Sequence, residues 1–89
     1  MPNPYISGTG FYLPPHVVIN DDLSKYMDTT DEWIQERTGI KERRYVEKGV
    51  GSSDLAIPAT EQALAEAGLQ ISDIELIIFA TSTPDFYAP

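Results

Sequence analysis

The chain has 89 residues, 14 carboxylates against 6 lysines and arginines, and a formal net charge of −8. A body this acidic lacks the broad positive surface that a nucleic-acid binder needs. Its 42% hydrophobic and 10% aromatic content is that of a folded core rather than of disorder, and its length allows one domain at most.

The absence of cysteine removes disulfides, a thiolate nucleophile and thiolate metal sites from this chain. No apolar run is long enough to cross a bilayer, the longest being Leu76–Ala80. The opening MPNPYISGTG has neither a basic n-region nor an apolar h-region, so no signal peptide and no membrane partner are expected, and the expected location is the cytoplasm.

In chain order, Tyr5–Leu13 is rich in β-formers and ends at Pro14-Pro15, which predicts a strand. Gly8 and Gly10 within it suit close approach by another backbone better than a phosphate loop. His16–Ile19 reads as loop, and Asn20 as the cap of a short helix over Asp21–Tyr26, with carboxylates in its first turn. Thr29-Thr30-Asp31-Glu32 has the form of a capping box with Thr29 as N-cap, opening a helix over 30–37 that Gly39 stops. Ile40–Val46 alternates enough for a strand with one wet face, and 47–51 is a loop.

Ser52 or Ser53 then caps the longest helix, running to Ala67 and closed by Gly68. Its stripe of Ala56, Ala59, Ala63 and Ala67 lets it lie close against a neighbour, and Pro58 removes a hydrogen bond from its early turns. Ile74–Thr81 is apolar on both faces, as in a central strand covered on both sides. One helix covers one such face, and nothing remains to cover the other. The chain therefore reads as part of a larger α/β protein, or as a piece that folds with a partner.

Chemistry concentrates in Asp28–Arg44. This stretch holds the single tryptophan, Trp33, and Arg37, Lys41, Arg43 and Arg44; with Lys48, five of the six cations fall between 37 and 48. Trp33 and Arg37 are four residues apart and share a helix face. An indole that stacks on a purine and a guanidinium that meets phosphate would hold a nucleotide-like ligand. The competing reading makes Trp33 a half-buried packing residue and Arg37 a surface partner of Glu32 or Glu36, and spacing alone favours it. His16 lacks the company of a metal site or an acid–base pair and reads as a surface residue. None of the serines lies in a nucleophile elbow, so no catalytic residue and no metal site is expected in this chain.

Four stretches, ISGTGFYLP (6–14), NDDL (20–23), DTTDEWIQERTGIKERR (28–44) and ATEQALAEAGLQISDIELIIFATSTPD (59–85), together resemble the N-terminal part of β-ketoacyl-acyl carrier protein synthase III, an initiating condensing enzyme. The third stretch carries most of the specificity. The resemblance implies an α/β, thiolase-like fold, with residues 1–89 forming the opening of its first half. It implies a homodimer that uses acyl-CoA and malonyl-acyl carrier protein, with coenzyme A thioester as substrate and no prosthetic group. It also implies a Cys-His-Asn site, none of which lies in this chain. By the same resemblance Thr29, Trp33 and Arg37 contact coenzyme A. Ala88 falls where the family often has a large aromatic limiting the partner's acyl pocket, which implies room for a longer or branched primer. Alternatives are another thiolase-superfamily acyltransferase, a hydroxymethylglutaryl-CoA synthase-like enzyme, or a non-catalytic nucleotide-binding or interaction module.

Overall fold

The computed structural model describes residues 3–86. Two compact units emerge from it, one made of 3–12 with 49–86 and the other of Leu13–Lys48.

In the Leu13–Lys48 unit, strand β1 (His16–Ile19) pairs antiparallel with β2 (Glu42–Tyr45), with His16 opposite Tyr45 and Ile19 opposite Glu42. The expected loop at His16–Ile19 is thus a strand. Three consecutive β-branched residues favour extended backbone, and pairing with a strand more than twenty residues away overrides the nearby prolines that mask the signal. The expected strand at Ile40–Val46 is present in shortened form. His16 is exposed, as expected, and meets the Tyr45 ring edge-on at 6.2 Å.

Helix α1 (Asn20–Leu23) starts one residue earlier than expected and is shorter. Asn20 is its first residue rather than its cap; the Asp22 carboxylate accepts the Ile19 N–H at 3.1 Å instead. Helix α2 (Asp31–Thr38) is capped by Thr30, not Thr29: Thr30 Oγ1 accepts the Trp33 N–H at 3.1 Å. The box therefore sits one residue later, with Trp33 rather than Glu32 at the third helical position, so no carboxylate there reaches back. Gly39 does end α2, at φ 72°, a left-handed conformation that is cheap for glycine. Val18 and Ile34 are the buried hydrophobic residues among those described, and Asn20 is buried beside them in the same unit.

In the other unit, helix α3 (Ser52–Ala67) runs unbroken through Pro58 and ends at Gly68, as expected. Its cap is not a serine. Gly51 holds the N-cap position, and the Asp54 carboxylate accepts its N–H at 2.9 Å. Ser52 and Ser53 lie in the first turn, where Ser52 Oγ donates to Thr83 O at 2.6 Å and Ser53 Oγ donates to Asp85.

Segment 3–12 lies along α3 instead of entering a sheet. Phe11 N–H donates to Gln62 Oε1 at 2.8 Å, and Thr9 N–H to Glu66 Oε2 at 3.4 Å. A Cβ at Gly8 would collide with the Ala63 carbonyl and one at Gly10 with the Ala59 carbonyl, so the glycines and the alanine stripe together permit this approach. After a 3₁₀ turn at Ile71–Asp73, the predicted strand Ile74–Thr81 joins no ladder among the described residues. The physical reason is that strand propensity needs a neighbouring edge to bond, and none is offered. Its side chains stand in solvent, Ile78 at 86% exposure. No helix among the described residues is long and apolar enough to cross a membrane.

Candidate functional site

The stretch from Met27 to Arg37 builds a hollow around one indole. Met27, Asp28, Thr29, Thr30 and Trp33 line a cavity of ≈ 380 Å³, within the range of small-ligand sites, about 300–1,000 Å³. The Thr30 cap fixes where α2 begins, and Trp33 stands in its first turn, 53% exposed. Large flat apolar surface held in solvent on a fixed helix is what a stacking ligand requires.

The Arg37 guanidinium carbon lies 5.3 Å from the Trp33 ring centroid, one turn along the helix. This distance is that of a cation–π contact. Among the described residues the one ion pair is Lys25–Asp22, at 3.5 Å, so the pairing of Arg37 with Glu32 or Glu36 in the competing reading is not made. Among the described residues no carboxylate pairs with Arg37, and its guanidinium lies over the indole.

Thr29, relieved of capping, has its Oγ1 covered and without a hydrogen-bond partner. An unpaired covered hydroxyl costs about 1–3 kcal/mol, so a group that satisfied it would be favoured. The three residues expected to contact ligand thus lie within one turn-and-helix element. Ala88, the fourth, lies outside the described residues.

The basic cluster does not act as one patch. Arg43 Nη1 donates to Val18 O at 3.2 Å and its Nη2 to Asn20 Oδ1 at 2.5 Å, while Arg44 Nη1 donates to Pro14 O at 2.9 Å. Both guanidiniums tie strand β2 to the backbone before and along β1, and so serve the fold. Their spacing carries no sign of this role, because β1 is not legible in the residues themselves. The Asp31 carboxyl is held below its ordinary value by hydrogen bonds from Gln35 and then Asn20, against the effect of burial, with Lys41 adding a favourable charge. No group of three or more metal-binding side chains is found among the described residues.

No family profile matches the chain. It is 54% identical over 81 residues to the β-ketoacyl-[acyl-carrier-protein] synthase III of Hyphomonas neptunium, which covers 91% of this chain and 25% of that protein. The crystal structure of the 3-oxoacyl-[acyl-carrier-protein] synthase III of Aquifex aeolicus superposes with a TM-score of 0.83 at 49% identity, over 94% of this chain and 27% of that one. The chain belongs to the β-ketoacyl-acyl carrier protein synthase III family. Its fold is accordingly the α/β fold of thiolase-like enzymes, of which mixed helix and strand are seen here. The priming β-ketosynthase of the R1128 polyketide pathway is also similar, with a TM-score of 0.74 at 32% identity over 89% of this chain and 25% of that one. The chain spans about a quarter of the length of the relatives it matches.

Proposed function

We propose that this chain forms the coenzyme A-facing opening of the first half of a β-ketoacyl-acyl carrier protein synthase III. The observation that carries the reading is the Trp33–Arg37 stack at 5.3 Å beside the Thr29 hollow, with no carboxylate among the described residues pairing the guanidinium. The exposed indole takes the adenine, and the Arg37 guanidinium meets the phosphates. Thr29, which lines the hollow, contacts the base.

In the complete enzyme a cysteine thiolate attacks the carbonyl of acyl-CoA, and coenzyme A leaves as its thiol. Malonyl-acyl carrier protein then loses carbon dioxide, and the carbanion so formed attacks the acyl-enzyme, releasing the thiolate and the β-ketoacyl product. A thiolate suits the task as a strong nucleophile whose thioester keeps the acyl group reactive. This chain contains no cysteine, so its part is to hold and orient the carrier of the acyl group. The enzyme works in the cytoplasm as a homodimer, with coenzyme A thioester as substrate rather than prosthetic group, and without nucleic acid or membrane. The family resemblance alone supports a further reading, that the small side chain of Ala88 would leave room for a longer or branched primer.

Removal of the stacking surface tests the site. In the full-length enzyme, Trp33→Ala should weaken coenzyme A binding by about tenfold or more, as expected from the 1–3 kcal/mol of base–aromatic stacking. Unchanged affinity would remove the indole from the site. A second reading, an acyltransferase of the same superfamily with another role, draws on the likeness to the polyketide priming ketosynthase. Failure to use malonyl-acyl carrier protein as the acceptor would favour it.

A further inference from the structure

Asn20 grips helix α2 at both ends. It is 1% exposed, the one buried polar residue among those described. A primary amide offers two N–H donors and a carbonyl acceptor, and all are used. Nδ2 donates to Asp31 Oδ1 and to Ile40 O, each at 2.8 Å, and Oδ1 accepts from Arg43 Nη2 at 2.5 Å. Asp31 is the first residue of α2, and Ile40 follows the Gly39 that ends it. Asp31 extends the hold by one turn, since both its oxygens accept from Gln35 Nε2 at 2.8 Å.

A helix of 8 residues does not persist through its own hydrogen bonds. Burial within α2 is confined to one side chain, Ile34. The setting of the helix therefore depends on Ile34 and on the bonds that Asn20 organises. A change in that setting by one residue turns the face by about 100° and carries the indole away from the hollow.

We propose that Asn20 is a positioning residue for the ligand site: through Asp31 and Ile40 it fixes α2 so that Trp33 and Arg37 stand beside the Thr29 hollow. This rests on the coenzyme A reading above.

The test measures coenzyme A affinity in the full-length enzyme. Asp31→Ala cuts the bond between Asn20 and the start of α2 but leaves the bonds of Asn20 to Ile40 and Arg43. Charge and positioning predict opposite signs for it. Loss of a carboxylate near an anionic ligand favours binding electrostatically, whereas loss of positioning weakens it. The expected result is a Kd raised by about tenfold, a KM for acyl-CoA raised in step, and kcat within about twofold. An unchanged or tighter Kd overturns the proposal.

The exchange Asn20→Asp with Asp31→Asn provides a second arm. Asn20→Asp alone faces one carboxylate with another, while the exchange restores an amide-to-carboxylate bond with its direction reversed. The exchange returns the bond to residue 31 but not the one to Ile40 O, for which a carboxylate has no donor, so it should recover part of the affinity that the single substitution loses, and no recovery overturns the proposal. This comparison decides if Asp31→Ala does not fold. Trp33→Ala run beside these variants separates the two readings. A loss there with full affinity in Asp31→Ala defeats positioning alone, and no loss there defeats both.

Discussion

The Leu13–Lys48 unit closes on itself, whereas the unit of 3–12 and 49–86 does not. In the first, Val18, Ile34 and Asn20 are buried, and the amide of Asn20 is fully hydrogen-bonded. In the second, no described residue is buried, although it contains the longest helix and the most apolar segment of the chain. Hydrophobic content and burial are thus separate matters. A residue such as Ile78 contributes to stability only when something is present to exclude water from it. The unit with its own core is also the one that carries the candidate ligand site, and a site needs side chains held in place from behind.

The largest expected contrast comes from trimming one isoleucine in each unit. Ile34→Ala should cost the Leu13–Lys48 unit about 2–5 kcal/mol, while Ile78→Ala in this chain should stay within about 0.5 kcal/mol. Denaturant unfolding of both variants checks the pair, and comparable losses would erase the distinction.

An intermediate effect is expected where the open unit does have close contact. Gly10→Val drives a side chain into the Ala59 carbonyl and should cost about 1–3 kcal/mol. The loss should appear as faster hydrogen exchange at the Phe11 N–H, with α3 still helical. Retained protection would mean that segment 3–12 is held by something other than the glycine–alanine fit.

The smallest effect is in pH. Because folding lowers the Asp31 carboxyl below its ordinary value of 3.8, its stabilisation is complete above that value and is lost as pH falls through the lower folded one. Asp31→Asn should therefore flatten the acid limb of stability below that value and leave the neutral region with the same slope. An unchanged acid limb would mean that the Gln35 and Asn20 bonds do not favour the ionised form.

Much of the helical structure was legible in the residues themselves. Gly39 and Gly68 end α2 and α3 as expected, and the alanine stripe of α3 does receive a close backbone at Gly8 and Gly10. These are local signals, fixed by backbone sterics and by side-chain size. The caps slipped by a residue because serine, threonine and asparagine neighbours compete for the same position, and a carboxylate three residues on can serve it equally well. Asn20 read as a cap for this reason, since nothing local distinguishes a capping amide from a buried hub.

The sequence by itself determined where α2 and α3 stop, which residues could stack on a base, and, through four quoted stretches, which family the chain resembles. Spacing alone could bring Trp33 and Arg37 to one face, because four residues are close to one helical turn. Only the tertiary structure decided which charges remain available to a ligand. It turned Arg43 and Arg44 onto the carbonyls of Val18 and Pro14, left Arg37 on the indole, and buried Asn20 among partners eleven to twenty-three residues away. Hydrogen bonds across such separations depend on strand register and helix placement, and those are set by the packing of the whole unit rather than by any local run of residues.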